Sequence, residues 1–153
     1  LPLTLAVLEG MVIRCGDDRY VIPIASVIET QHLASTPIER LPFGQEVLRW
    51  RGEVTPLYRL GDVMGSMGKT NENIVIIAET ERGNNVGIAV DEIVGQQQVV
   101  VKSLEANYGA VNGASAATIL GDGLVALILD IDSMLRLAAS GGHNPQSDLK
   151  MAG

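Results

Sequence analysis

Two acidic pairs are the residues of this sequence whose types and spacing suit chemistry. Asp130 and Asp132 are two positions apart, so in a strand their carboxylates would share a face, as acid–base work in a small hydrolase requires. At a strand end such residues more often cap the helix that follows, and we favour this second interpretation. Asp91 and Glu92 are adjacent and would diverge in a strand. We therefore expect no enzymatic activity from this sequence.

The remaining motifs predict neither a cofactor nor a metal site. The loop 65–70, with the sequence GSMGKT, contains the end of a phosphate-binding loop, but its first glycine is too close to that end and no helical pattern follows. His32 has no second candidate ligand in range, so we expect it at the surface. Cys15 is the only cysteine, which excludes an intrachain disulfide, and it is expected to be buried like a small apolar residue.

Composition restricts both the core and the partners. The chain has 153 residues, of which 46% are hydrophobic but only 3% aromatic, so its core must be aliphatic. The scarcity of aromatic rings and the net charge of −7 argue against nucleic-acid binding, which needs stacking surfaces or a basic face. No apolar stretch reaches the roughly 18 residues of a membrane span, so direct membrane insertion is not expected.

Short strands separated by glycine, aspartate and asparagine turns follow one another along the chain, which is typical of small barrels. Asp122-Gly123 gives the strongest hairpin signal. Pro23 and Pro56 lie within two of the predicted strands and mark them as edge strands, because proline cannot donate a hydrogen bond to a sheet. Residues 131–139 have the apolar spacing of a short amphipathic helix.

The two halves of the chain resemble each other. Residues 22–28 align with residues 88–94, and residues 51–57 align with residues 122–128, at offsets of 66 and 71 residues. Each half therefore shows the same order of strand, corner, strand, hairpin and short helical turn. We interpret this repeat as two small barrels, whose interiors have no room for a ligand once side chains fill them.

Three segments carry a resemblance to a known family. They are residues 1–11 (LPLTLAVLEGM), 86–105 (VGIAVDEIVGQQQVVVKSLE) and 117–130 (ATILGDGLVALILD). Together they resemble the regulatory domain of the chemotaxis histidine kinase CheA, which is similar in fold to the coupling protein CheW. The resemblance covers roughly residues 1–137. It implies an all-β fold of two small, SH3-like five-stranded barrels packed around a shared hydrophobic core, to which the sequence pattern adds a short C-terminal helix.

The resemblance also implies domain boundaries. Residues 1–8 would be a remnant of the last strand of a preceding kinase ATP-binding domain, and the alternative is a first strand of this domain. Residues 9–139 would form the CheW-like regulatory domain, with its two pseudo-repeated barrels, and residues 140–153 a tail. If the first assignment holds, residues 1–8 are not integral to the barrels.

The function implied by the resemblance is that of a non-catalytic protein-interaction domain. It would bind the coupling protein CheW, the cytoplasmic tips of chemoreceptors (methyl-accepting chemotaxis proteins) and other domains of the same kinase. In this way it would couple receptor state to kinase activity, in the cytoplasm and in association with membrane-receptor arrays. A free-standing CheW-type coupling protein is the alternative, although the opening run argues against it because a coupling protein has no kinase strand before it. A small hydrolase that uses Asp130 and Asp132 is less favoured.

Two residues are the predicted partner-binding positions. Within the resemblance, Glu29 matches an acidic position of coupling proteins, and Arg51-Gly52 matches their Arg-Gly turn. Both positions lie in regions tied to partner contact or signalling in the family. The residues alone leave other roles open, because Glu29 could be a solvated charge and Arg51 could form an internal ion pair that fixes its turn.

Overall fold

The computed structural model describes residues 6–66, 68–103 and 114–139, and within them the chain is mostly β. The strands are β1 (Ala6–Cys15), β2 (Asp18–Pro23), β3 (Val27–His32), β4 (Ile38–Arg40), β5 (Glu46–Trp50), β6 (Glu53–Arg59), β7 (Ile74–Glu79), β8 (Asn85–Val90), β9 (Glu92–Ser103), β10 (Ala114–Ile119) and β11 (Val125–Leu129). The α-helices are α1 (Leu60–Met64) and α2 (Ile131–Ala139), and 3-10 helices span Ile24–Ser26 and Leu33–Ser35.

Five of the strands close into a barrel in the order β1-β2-β11-β10-β9. Strands β2 and β11 are parallel, and the other neighbours are antiparallel. Small aliphatic side chains fill the interior, because a barrel of this size leaves little room. Gly10 is required in β1, since a side chain there would collide with Val21 on the neighbouring strand. The interior cluster consists of Val12, Val21, Val99, Ala116, Leu120, Ala126 and Ile128.

The other six strands form one sheet in the order β3-β7-β8-β6-β5-β4. It has one strand more than the five predicted for a second barrel. Strand β4 is three residues long and lies between Pro37 and Pro42, so its sequence has the signature of a loop and strand propensity alone does not reveal it. The interior cluster of this sheet consists of Leu48, Trp50, Leu57, Val75, Ile77 and Ala89.

A third and larger apolar cluster joins the barrel to the six-stranded sheet. Strands from both sheets contribute to it, and α1 and α2 add buried side chains, so the sheets share one core. Burial of each large aliphatic side chain contributes roughly 2 kcal/mol. The prediction of an all-β fold around a shared aliphatic core, with a short C-terminal helix, is confirmed. The cluster includes Met11, Ile13, Ile22, Leu60, Ile76, Ile88, Val90, Leu129, Met134 and Leu137.

The chain passes between the two sheets at two places, which the internal repeat aligns with each other. It leaves the barrel at the 3-10 helix Ile24–Ser26 and returns at Asp91. The second aligned pair consists of the β5–β6 and β10–β11 hairpins. Each half of the chain is therefore divided between the two sheets and does not form a barrel of its own. The parallel pairs β2–β11 and β6–β8 repeat the same arrangement in the two sheets.

The two strand prolines do not mark edge strands, contrary to the prediction. Strand β2 lies between β1 and β11, and β6 lies between β5 and β8. Pro23 is the last residue of β2, and the pairing of β6 with β8 begins at Leu57, one residue after Pro56. Each proline therefore lies just outside the part of its strand that pairs with neighbouring strands on both sides. A residue with no N–H group is tolerated there, because no hydrogen bond to the second neighbour is lost.

The proposed boundary after residue 8 falls inside a strand. Ala6, Val7 and Leu8 pair with Val101, Val100 and Val99 of β9, and the Leu8 side chain packs against the barrel interior. These three residues are therefore built into the barrel, as the alternative of a first strand requires. The assignment of residues 1–8 to a preceding kinase domain stays a prediction. Residues 1–5 and the predicted tail 140–153 lie outside the described residues.

Candidate interaction site

The structure brings the two predicted partner-binding residues together. Glu29 lies in β3, at one end of the six-stranded sheet, and Arg51 lies in the two-residue turn between β5 and β6. The Nη2 atom of Arg51 is 3.6 Å from the Oε1 atom of Glu29, and the two side chains are 68% and 37% exposed. The result is an exposed ion pair, and exposed pairs contribute little to stability.

The backbone at Arg51 is unusual. Trp50 pairs with Glu53 across the hairpin, and the two turn residues both have positive φ angles, 53° at Arg51 and 80° at Gly52. This is the geometry of a type I′ turn, which favours asparagine or glycine at its first position. Among the residues that the structure describes, Arg51 is the one non-glycine residue with positive φ. An arginine at this place is unfavourable for the backbone, so its side chain is the reason to look for a function here.

The guanidinium of Arg51 is anchored on an aromatic ring. Its Cζ atom lies 4.3 Å from the ring centroid of Trp50, within the range of a cation–π interaction. Trp50 is buried in the interior of the six-stranded sheet. The buried ring therefore fixes the position of an exposed positive charge. Sequence reasoning missed the role of Trp50, although the lone tryptophan of the chain directly precedes Arg51.

The carboxylate of Glu29 is held by neutral donors as well as by the arginine. Gln31 donates from Nε2 to Oε2 of Glu29 at 3.1 Å, and Gln31 in turn accepts a hydrogen bond from Thr36. The hydrogen bond from Gln31 lowers the pKa of Glu29, with further contributions from a hydrogen bond of Trp50 and the charge of Arg51. Glu29 therefore stays ionised at neutral pH. Glu29, Arg51, Trp50 and Gln31 are called the charged site below.

A groove runs along α2 on the same sheet. It has a volume of about 580 Å³ and lies between β6, the β7–β8 turn and the helix. Val54 is exposed in it, Leu135 is half-buried, and Arg82 and Arg136 stand among its lining residues. The lining combines apolar side chains with charged and polar ones, which suits a peptide or a helix that presents both kinds of side chain.

The barrel carries a row of exposed apolar side chains on its outer face. Val7 pairs with Val100, and Ile119 pairs with Val125. The register between β9 and β10, continued by two residues, sets Val100 opposite Ile119. The row therefore crosses four strands, and contiguous exposed apolar surface of this kind marks interaction sites. We call Val7, Val100, Ile119 and Val125 the apolar row.

The acidic pair that could have served a hydrolase is structural. Oδ1 of Asp130 accepts hydrogen bonds from the backbone N–H groups of Asp132 and Ser133, at 3.1 and 3.3 Å. Asp130 is thus the N-cap of α2, as the favoured interpretation had it. Asp132 accepts a hydrogen bond from the backbone of Glu81, 3.2 Å away. Both carboxylates are therefore used in holding backbone groups.

The described residues contain no group of three or more histidine, cysteine or acidic side chains that could hold a metal ion. Within the same part of the chain, neither helix has the length and apolar character needed to cross a bilayer. Cys15 is fully buried, and burial raises the pKa of its thiol to about 11. The charged site, the groove and the apolar row are the exposed features that a partner protein could contact.

Comparison with known proteins assigns the class of domain. The model of the CheW-like domain family matches residues 9–139, and the chain belongs to this family. A solved structure, the scaffolding protein TtCheW from Thermoanaerobacter tengcongensis, is similar with a TM-score of 0.65 and 18% identity, over 81% of this chain and 89% of that one. This likeness supports the fold.

Two curated relatives are more specific. The chemotaxis protein CheA of Rhizobium meliloti is 40% identical over 156 residues, covering 100% of this chain and 21% of the relative. The chemotaxis protein CheA of Salmonella typhimurium is 42% identical over 137 residues, covering 88% of this chain and 20% of the relative. The chain therefore spans about a fifth of the length of these relatives. The predicted resemblance to the CheW-like domain of CheA proteins is confirmed.

Proposed function

We propose that this chain is the non-catalytic interaction domain of a chemotaxis histidine kinase. It binds a CheW-type coupling protein, chemoreceptor cytoplasmic tips and other domains of the same kinase, and so couples receptor state to kinase activity. Its place is the cytoplasm, at membrane-receptor arrays. The observation that carries this proposal is the charged site, where Arg51 occupies an unfavourable backbone conformation, stacks on a buried tryptophan and remains exposed.

The geometry of the charged site supports a role in partner binding over a purely structural role in fixing the β5–β6 turn. An arginine that only fixed its turn would be replaced without loss by asparagine or glycine, which fit a type I′ turn better. The stacked guanidinium and the ionised Glu29 instead present two fixed, opposite charges to solvent. Such charges contribute to the specificity and the rate of association of a partner more than to the stability of the domain.

The groove beside α2 and the apolar row fit the two partner classes. The groove beside α2 is lined by both apolar and charged side chains, which suits an amphipathic helix, the form expected of a receptor tip. The apolar row lies on the outer face of the barrel and suits contact with a second barrel, such as that of a coupling protein. A free-standing coupling protein would share these features. The similarity to CheA proteins supports the interaction domain of a histidine kinase over this alternative.

Charge reversal at the charged site tests the proposal. We expect Glu29→Lys and Arg51→Glu each to weaken binding of a CheW-type coupling protein or a receptor-tip fragment by about tenfold, measured by isothermal titration calorimetry. The melting temperature should change little, because the ion pair is exposed. Glu39→Lys, which reverses an exposed charge on β4, is the matched control and should bind like the parent.

The double variant Glu29→Lys/Arg51→Glu separates the two possible roles. It restores an ion pair with the charges exchanged, so it should recover any stability lost in the single variants. If a partner reads the individual charges, binding should remain weak. Two outcomes would contradict the proposal: recovery of binding in the double variant, or parent-like binding of both single variants to both partners. Either would mean that the charged site has a structural role and that partners bind elsewhere.

A further inference from the structure

Asp91 is the residue at which the chain returns from the six-stranded sheet to the barrel. Strand β8 ends at Val90 and β9 begins at Glu92, so Asp91 alone forms the connection. Its side chain is only 2% exposed, although it is a carboxylic acid. Burial of a carboxylate is unfavourable unless it is paired and hydrogen-bonded, so its contacts identify what it does.

The two oxygens of this carboxylate accept hydrogen bonds from both sheets, and Oδ1 also accepts a long one, at 4.0 Å, from Sγ of Cys15 in β1. Oδ2 accepts hydrogen bonds from the backbone N–H of Gly16, at 3.1 Å, and from Nη1 of Arg14, at 3.3 Å, both in the β1–β2 hairpin of the barrel. Oδ1 accepts a hydrogen bond from the backbone N–H of Asn71, at 3.0 Å, in the loop that leads into β7 of the other sheet. One carboxylate therefore bridges the barrel and the six-stranded sheet.

The backbone of Asp91 repeats the bridge. Its N–H donates to the carbonyl of Arg14 at 3.0 Å, and its own carbonyl accepts from Nδ2 of Asn73 at 3.4 Å. The other crossing, the 3-10 helix Ile24–Ser26, has no side-chain capping hydrogen bond. The charged bridge thus distinguishes the Asp91 crossing from the one that the internal repeat aligns with it.

We propose that the Asp91 carboxylate fixes the angle between the barrel and the six-stranded sheet. The apolar row lies on the barrel and the charged site lies on the sheet, so the same contact sets the relative orientation of these two surfaces. The shared apolar core holds the sheets together but is not directional, whereas four hydrogen bonds to one carboxylate define a geometry. Asp91 is a positioning residue, and the proposal is independent of which partner binds.

Asp91→Asn is the informative change. Asparagine keeps the shape of the side chain but replaces one carboxylate oxygen, which accepts hydrogen bonds, by an NH₂ group, which donates them. The N–H groups that contact this oxygen in the parent would then meet another donor and lose their acceptor. We expect both sheets to stay folded while the angle between them becomes variable. A loss of stability alone would not produce this result, because it does not change the geometry of the molecules that remain folded.

Distances between spin labels measure the angle directly. Labels would be attached to Glu39→Cys on β4 and Ile119→Cys on β10, both exposed positions on different sheets. The native Cys15 can remain, because its side chain is fully buried and out of reach of the labelling reagent. The parent should give one narrow distance distribution in pulsed electron spin resonance. Asp91→Asn should broaden the distribution and shift its maximum.

Asp122→Asn is the matched control, because this exposed carboxylate also accepts a backbone hydrogen bond, from Leu124, but within a single hairpin. It should leave the distribution unchanged. Arg14→Gln removes the charged donor to Asp91 and leaves the other donors in place, so it should broaden the distribution less than Asp91→Asn does. If Asp91→Asn folds and gives the parent distribution, the proposal is wrong. If Asp91→Asn does not fold, Arg14→Gln decides, and a parent distribution in that variant also overturns the proposal.

Discussion

The barrel and the six-stranded sheet have similar aliphatic interiors but complete their edges differently. In the barrel every strand has backbone partners on both sides, so it has no free edge. The six-stranded sheet ends at β3 and β4, and side chains bring β3 to the β5–β6 turn, through Glu29 and Arg51. Because backbone hydrogen bonds close the barrel, its outer face can carry apolar side chains. In the six-stranded sheet, charged side chains make the link between β3 and the β5–β6 turn, so the surface there is polar.

A second ionic cluster strengthens this contrast. Arg59 contacts Glu46 through Nε at 2.8 Å and Nη2 at 3.1 Å, and Glu72 through Nη1 at 3.3 Å. The two carboxylates are 17% and 11% exposed. The cluster links β5 and β6 to the segment that leads into β7, again on the six-stranded sheet. Ion pairs thus link neighbouring strands of the six-stranded sheet, whereas in the described part of the barrel Arg14 forms ion pairs at the end of β1, with Asp91 and Glu92.

The largest expected change in the free energy of unfolding comes from core substitutions, which also test whether the barrel and the six-stranded sheet unfold as one unit. Ile77→Ala in the sheet and Ile128→Ala in the barrel should each lower the free energy of unfolding by about 3 kcal/mol, because both side chains are fully buried. Urea unfolding followed by fluorescence of Trp50, in the sheet, and by circular dichroism of the whole chain should give coincident transitions, since the shared core couples the sheets. Separate transitions would show that the shared core does not couple them.

The next effect concerns the ionic cluster. Arg59→Leu should lower the free energy of unfolding by about 2 kcal/mol, because it removes the cation that contacts both of the largely buried carboxylates, Glu46 and Glu72. The exposed Arg40, whose Nη2 lies 3.9 Å from Glu46, offers the matched control. Arg40→Leu should change stability by less than about 0.5 kcal/mol. Equal effects of the two substitutions in urea unfolding would contradict a structural role for the cluster.

A smaller effect is expected at the start of the barrel. Deletion of residues 1–8 should lower the free energy of unfolding by about 1.5 kcal/mol, because it removes the half-buried Leu8 and three residue pairs between β1 and β9. The sequence alone predicts a change below about 1 kcal/mol, the scale of a surface change. Leu8→Ala in the full chain separates the side-chain share from that of the backbone. A deletion with no measurable effect would support the sequence-based assignment of these residues to a neighbouring domain.

The smallest effect is the pH dependence of the charged site. The pKa of Glu29 in the folded chain lies below its ordinary value of 4.5, so the ionised form adds stability above that value and this contribution is lost as the pH falls through the lowered pKa. Glu29→Gln should therefore be slightly less stable than the parent at neutral pH and equal to it in acid. Thermal unfolding across this range measures the difference, and a difference that grows in acid would contradict the assignment.

Much of the architecture could be predicted from local sequence. The Asp122-Gly123 turn, the spacing of the residues in α2 and the capping role of Asp130 all depend on neighbours within a few positions. The internal repeat marked two corners, and the structure shows that the chain crosses between the sheets at both of them. The sequence could not reveal which strands belong to which sheet, because strands pair over long separations and the repeat alone suggested one barrel per half.

The candidate site was predicted only as separate residues. Glu29 and Arg51 are 22 positions apart, and their contact depends on how β3 meets the β5–β6 turn. The cation–π anchor on Trp50 and the apolar row likewise depend on strand register. Register follows from the whole sheet, since a shift of one residue exchanges its two faces.

The barrel strands are separated in the sequence by the six strands of the other sheet, and this order has a consequence for folding during synthesis on the ribosome. The barrel takes its strands from both ends of the described sequence, while β3–β8 form a continuous insert between them. The insert leaves the ribosome complete, but the surface that it contributes to the shared core stays uncovered until β9–β11 emerge. We expect slow, late closure of the barrel because its contacts join distant residues, and this makes the nascent chain most prone to aggregation just before its last strands appear.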